Sequence, residues 1–207
     1  MVRAPTSSPL KPRKAPRQPR SEHTVEVLLE AAAQVLERDG LEGFNTNAVA
    51  RRAGVSIGSL YQYFPGKDAL TLALMRREGA RFHAEAELTL DQPTGADALK
   101  AMIGACVRQQ LQRPTLAHLL DLEESRPPLR GAAGGGARLI DIVAEILGRP
   151  DMSHPRAKLA AADLMAIVRG MTDAAGERGE SDIIDLQARI EAASFGYLGK
   201  PTTRAGD

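Results

Sequence analysis

The chain is short of most of what an enzyme or a secreted scaffold needs. Its 207 residues include one cysteine, Cys106, so no internal disulfide can form and a multi-cysteine zinc site is excluded. The four histidines (His23, His83, His118, His154) are scattered and include no His-Glu-x-x-His pattern, the common signature of a zinc hydrolase. Aromatics are only 3% and no alternating apolar pattern persists, which argues against strands. No apolar run approaches the roughly 20 residues that cross a bilayer. The N-terminus has charges but no apolar h-region, so a signal peptide is not expected. Gly66-Lys67 ends like a phosphate loop, but Tyr61 stands five residues before Gly66 where a glycine is required. The Gly134-Gly135-Gly136 run has no Rossmann context. These absences predict a soluble, cytoplasmic, all-α protein that is not an enzyme and holds neither metal nor cofactor.

What is present is unevenly distributed. The formal charge of +1 conceals 13 Lys/Arg against 8 Asp/Glu in residues 1–81, a balance of +5. Residues 82–207 carry 14 against 18, a balance of −4. A basic front part suits a polyanionic partner, and the acidic remainder does not. Residues 1–20 contain five prolines, six basic residues and no acid. This composition predicts a disordered arm, because proline blocks helix and there is little apolar surface to bury.

Helical periodicity runs through the rest. Val25, Leu28, Leu29, Ala32, Val35 and Leu36 form the stripe of a first helix that starts near Ser21 to Thr24 and ends at Gly40. Further helices are expected from Lys67 to about Leu90, Ala96 to Gln112, Thr115 to Ser125, around Leu139 to Leu147, Pro155 to Ala175, and Ser181 or Asp182 to Leu198. From Leu159 to Val168 only Asp163 interrupts an apolar run, so that helix must be covered on more than one side. Asp121, Glu123 and Glu124 read as a solvated face of a short helix. Beyond Lys200 the composition predicts a disordered tail. The domains implied are an arm (1–20), a small helical head (21–66), a larger helical domain (67–200) and a tail (201–207).

The most informative stretch is Asn45–Lys67, NTNAVARRAGVSIGSLYQYFPGK. Asn45 can cap a helix whose inward face is Thr46, Val49, Ala50 and Ala53. Gly54 suits a left-handed residue at the helix end. Val55 can plug the following angle. Ser56 can cap a second helix whose buried side is Leu60 and Phe64, and Pro65-Gly66 stops it. Ile57, Gly58, Ser59, Tyr61, Gln62 and Tyr63 are left facing outward. Hydroxyls and an amide hydrogen-bond phosphates and base edges, and Gly58 lets a partner come close to the backbone. Two short helices around a glycine turn, the second exposing such groups, form a helix-turn-helix pattern.

The run AGVSIGSLYQYFPGKDAL, with its flanks from Thr24 to about Met75, closely resembles the DNA-binding signature of TetR/AcrR-type transcriptional regulators. Asn45 stands where that family often has Thr, Gly66 where Asn is common, and Asp68 where Glu is common. The resemblance implies that Thr46, Asn47, Ser59, Tyr63 and Lys67 contact phosphates. It places Ile57, Gly58, Tyr61 and Gln62 at base edges, with the two caps Asn45 and Ser56 within the same interface. It further implies a homodimer through the two C-terminal helices, although the same helices would also serve to close the monomer's own core. A small-molecule inducer would bind among helices of the larger domain, with Phe82, Met102, Cys106, Leu119, Leu120, Met165 and Arg169 as candidate contacts. Cys106 also reads simply as a small buried hydrophobe. The function expected is a transcriptional regulator, a repressor released from a pseudo-palindromic operator by its inducer. The alternative is a ligand-independent DNA-architectural protein sharing the same head. The basic arm either enters a minor groove beside the motif or trails as a leader held by charge.

Overall fold

A computed structural model describes residues 19–199. Most of the expected arm and all of the expected tail (201–207) lie outside the described residues. Among those described, every regular element is helical, as the missing strand periodicity requires. The helices are α1 (Pro19–Gly43), α2 (Thr46–Arg52), α3 (Ile57–Tyr63), α4 (Lys67–Leu88), α5 (Gly95–Gln112), α6 (Pro114–Ser125), α7 (Gly136–Leu147), α8 (Ala157–Glu177) and α9 (Ile183–Gly199).

Several boundaries differ from those the periodicity predicts, each for a local reason. α1 begins at Pro19, inside the segment assigned to the arm, because proline's missing N–H costs nothing in a first helical turn. Gly40 breaks α1 as expected, at φ 64° and ψ −170°, but a further helical turn reaches Gly43. α4 ends at Leu88, and Thr89–Asp91 tightens into a 3-10 turn. Arg149 secures that region by donating to the carbonyls of Leu90 and Gln92. α5 starts at Gly95 because Thr94 caps it, accepting from the Asp97 N–H at 3.0 Å.

The chain forms two compact units. Among the described residues, 19–79 together with Thr115–Gly134 make the first, and Ala80–Pro114 with 135–199 make the second. The sequence places the division at Lys67; the observed one lies further on. The reason is packing: Leu74 at α4 and Leu116 of α6 are buried with Leu28, Val35, Leu36, Phe44, Val49, Leu60 and Phe64 in the head's core. Arg77 pins this part of α4 to α1, reaching Glu26 at 3.1 Å and Glu30 at 3.2 Å while nearly buried itself.

In the second unit, α5, α7, α8 and α9 share one core that includes Met102, Ile103, Ile142, Val143, Ile146, Leu164, Val168, Leu186 and Ile190. Each such side chain contributes about 1.5–3 kcal/mol of burial. α8 closes in a paired glycine cap: Gly179 sits at φ 69°, its N–H reaches the Gly176 carbonyl, and the Glu180 N–H reaches Ala175. Tyr197 on α9 donates to Asp163 on α8 at 2.6 Å. No helix among the described residues is long and apolar enough to cross a membrane.

Candidate nucleic-acid interface

The interface is built by two caps and a turn. Asn45 Oδ1 accepts from the Ala48 N–H at 2.9 Å and starts α2. Its amide nitrogen donates back to the Gly43 carbonyl at 3.0 Å, fixing the entry of the chain. At the other end of α2, Gly54 adopts φ 68°. There the Val55 N–H reaches the Ala50 carbonyl at 3.0 Å and the Gly54 N–H reaches Arg51 at 3.2 Å. This pair of bonds satisfies two orphan carbonyls and turns the chain sharply. Ser56 Oγ then accepts from the Ser59 N–H at 3.1 Å and opens α3.

Burial divides α3 as its sequence predicts. Leu60 and Phe64 are buried in the first unit's core. Ile57, Gly58, Tyr61 and Gln62 are exposed, Tyr61 at 41%. Gly58 has no internal reason to be glycine. A Cβ there would meet only Ser56 Oγ, at an ordinary 3.8 Å, and its φ is not left-handed. A glycine in a helix interior costs about 0.5–1 kcal/mol relative to alanine, so the fold forgoes stability at the position where a partner would approach.

The other predicted interface residues occupy varied settings. Asn45, Asn47 and Ser56 are exposed, and Ser59 is half-buried. Ser59 Oγ lies 2.9 Å from Ser56 Oγ. Thr46 is 9% exposed, with its hydroxyl 3.2 Å from Tyr61 Oη. Tyr63, read from the sequence as outward, is half-buried against the head's core. Lys67 is half-buried as well: Nζ lies over the Phe44 ring, 5.2 Å from its centroid, and donates to the Leu41 carbonyl at 3.4 Å. Its ammonium is therefore held at the mouth of the motif instead of sweeping through solvent. Sequence reasoning passed over Arg51 and Arg52, exposed in the last turn of α2. Arg52 Nε is tied to Gln34 at 2.7 Å; Arg51 shares the face of Asn47, one turn later. Two adjacent arginines just before a glycine turn were the available signal.

The candidate ligand residues do not form one group. Met102 is fully buried in the second unit's core, with Cys106 and Met165 packed against it. Phe82 belongs to the same unit, tilted against the His83 ring at 6.2 Å. Arg169 is exposed and paired with Asp173 at 3.7 Å. Leu119 and Leu120 belong to the first unit and pack on the head's core. Burial, followed by the charge of Glu85, pushes the Cys106 thiol up to about 12, which makes it an inert apolar side chain. Glu123 contradicts the solvated face read from its sequence. It is 5% exposed, because Arg126 donates to its carboxylate at 2.8 Å.

Two capped helices around a left-handed glycine, the second with one face in a core and one bare, define a helix-turn-helix protein. Residues 28–74 match the family described as bacterial regulatory proteins, tetR family. Over 94 residues it is 32% identical to the HTH-type transcriptional repressor KstR of Mycolicibacterium smegmatis, covering 45% of this chain and 46% of that one. The chain thus spans about half the length of the KstR repressors it matches. Solved structures share its fold. FadR of Bacillus halodurans, a fatty acid degradation regulator, gives a TM-score of 0.74 at 19% identity, over 92% of this chain and 100% of that one. FadR of Bacillus subtilis, solved with stearoyl-CoA, gives 0.70 at 18% identity, over 82% and 96%.

Proposed function

We propose that this protein is a homodimeric, sequence-specific DNA-binding repressor whose operator affinity is lowered by a small ligand. The observation that carries the reading is α3: capped, anchored by Leu60 and Phe64, and bare on a face that includes a glycine the fold does not need. The face can supply both kinds of contact. Gln62 is suited to adenine N6/N7 and Ile57 to a thymine methyl, with Tyr61 beside them at the base edges, while Asn47, Tyr63 and Lys67 supply phosphate partners.

Dimerisation through α8 and α9 is supported by what they leave uncovered. Leu159 is 52% and Ile184 82% exposed. Exposed small residues continue both faces, Ala166 and Gly170 on α8, and Ala188, Ala192 and Gly196 on α9. A second copy would cover them and place two recognition helices on successive major grooves, about 34–36 Å apart.

For the ligand, Phe82, Met102, Cys106, Met165 and Arg169 remain proposed contacts within the second unit, and Leu119 and Leu120 separate candidates on α6. The ligand must bind the non-operator state more tightly, since equal affinity shifts nothing. Acyl-CoA thioesters are the first class to test, given the stearoyl-CoA of the Bacillus subtilis FadR complex. The compartment proposed is the cytoplasm, where DNA and such metabolites meet.

The test is selection of duplexes from a random pool by the purified protein, followed by thermal melting with a metabolite set. Enrichment of a pseudo-palindrome, and a melting shift by a compound that releases that DNA, is the expected result. Failure to enrich any sequence overturns the reading. Enrichment without any stabilising compound favours the ligand-independent architectural alternative.

A further inference from the structure

Outside the helix-turn-helix, the segment following α6 lies along the start of α4. Arg126 Nη2 is 2.5 Å from Asp68 Oδ1 on α4 and 2.8 Å from Glu123 Oε2 on α6. One turn further along α4, Leu72 and Met75 are buried with Leu129, which is fully buried. Arg76 Nη2 then donates to the Ala132 carbonyl at 3.0 Å. Positions 68, 72, 75 and 76 lie along one face of α4, so residues 126–132 form a strap with a charged anchor, an apolar anchor and a backbone anchor.

The charged anchor stands at a sensitive place. Asp68 directly follows Lys67, the proposed phosphate contact, in the first turn of α4. An unpaired carboxylate there would repel the phosphates that Lys67 attracts. Arg126 supplies the opposite charge from a part of the chain that no helix-turn-helix pattern includes. Glu123, buried beside it, holds the guanidinium from the other side and restricts it to this position. The arrangement differs from a chance surface ion pair, because one guanidinium serves two carboxylates on different helices and one of them is buried.

We propose that Arg126 is a positioning residue for DNA binding. It neutralises Asp68 and fixes the first turn of α4, so the head binds its operator fully only while the strap is seated. This rests on the DNA-binding reading above. If wild-type protein selects no DNA, that reading fails; if it selects DNA that the variants bind equally well, only the present inference fails.

The test uses the full chain and the duplex that wild type enriches from a random pool, titrated at several salt concentrations. Arg126→Gln is expected to weaken binding by about five- to tenfold at low salt, less at high salt, the scale of one uncompensated charge near a phosphate. Asp68→Asn combined with Arg126→Gln is expected to recover part of that loss, since the carboxylate next to Lys67 is then gone and only the buried Glu123 has lost its partner. A purely structural strap predicts no recovery, because the double variant is equally unanchored. Should Arg126→Gln not fold, Asp68→Asn alone serves. It removes the carboxylate next to Lys67 while Arg126 stays paired with Glu123, and is expected to tighten low-salt binding severalfold, with the gain vanishing as salt rises. Wild-type affinity of Arg126→Gln, no recovery in the double variant, or unchanged low-salt binding of Asp68→Asn would overturn the proposal.

Discussion

Tyr61 Oη on α3 lies 3.2 Å from Thr46 Oγ1 at the start of α2. The bond is the polar tie across the helix-turn-helix, and it joins an exposed hydroxyl to a buried one. Whichever group donates, one of the two hydroxyl protons is left over. The pair therefore braces the motif and keeps one donor for DNA. Tyr61→Phe is expected to lower stability by about 1 kcal/mol, the net value of one hydrogen bond, and to weaken DNA binding as well. Chemical unfolding alongside duplex titration checks it. A loss of stability with intact DNA affinity would reduce Tyr61 to a brace.

Gly58 makes the opposite demand on stability. Because a Cβ there meets nothing closer than 3.8 Å, Gly58→Ala should stabilise the head by about 0.5–1 kcal/mol. The same methyl would stand between α3 and the groove, so operator affinity should fall. A variant that is both more stable and undiminished in DNA binding would show that the glycine is not there for DNA.

Assembly is tested on residues open to solvent in the single chain. Ile184→Asp, at a position 82% exposed, should leave folding intact and give monomers by sedimentation, since an unpaired charge in an apolar interface costs several kcal/mol. Ile190→Asp should instead unfold the second unit, because Ile190 is fully buried within it. Dimers persisting in Ile184→Asp, and likewise in Leu159→Asp, would move the interface elsewhere.

Much of this was legible in the sequence, and the exceptions share a cause. Both caps, the left-handed Gly54 and the inward pair Leu60 and Phe64 follow from interactions within a few residues. Glu123 did not, because its burial depends on Arg126 beyond the helix end and on Asp68, far away in sequence on α4. Tyr63 falls outside the inward period set by Leu60 and Phe64, yet it is half-buried against the head's core. The reach of the first unit into residues 115–134 depended on Leu116 and Leu129 finding partners on the head and α4, which periodicity cannot show.

Cys106 supplies a chemical check on the second unit's packing. Its thiol is raised to about 12, by burial first and by Glu85 second. A raised pKa means that folding favours the protonated thiol. Its contribution is fully present below the unfolded value near 9 and is lost as pH climbs toward about 12. Iodoacetamide at pH 8 should therefore leave Cys106 unmodified in native protein and label it rapidly in denaturant. Fast native labelling would contradict the packing.

The most direct test of the central claim, that α3 reads sequence while its surroundings hold phosphates, is a salt titration of three proteins on selected and random duplexes. Lys67→Ala should weaken both DNAs about equally and reduce the salt slope by about one. Gln62→Ala should keep the wild-type slope and random-DNA affinity, yet lose roughly 1–3 kcal/mol of preference at a single base pair. If Gln62→Ala instead matches wild type on both duplexes at every salt concentration, and wild type itself binds them equally, the head is a charge-driven non-specific binder and the account is wrong.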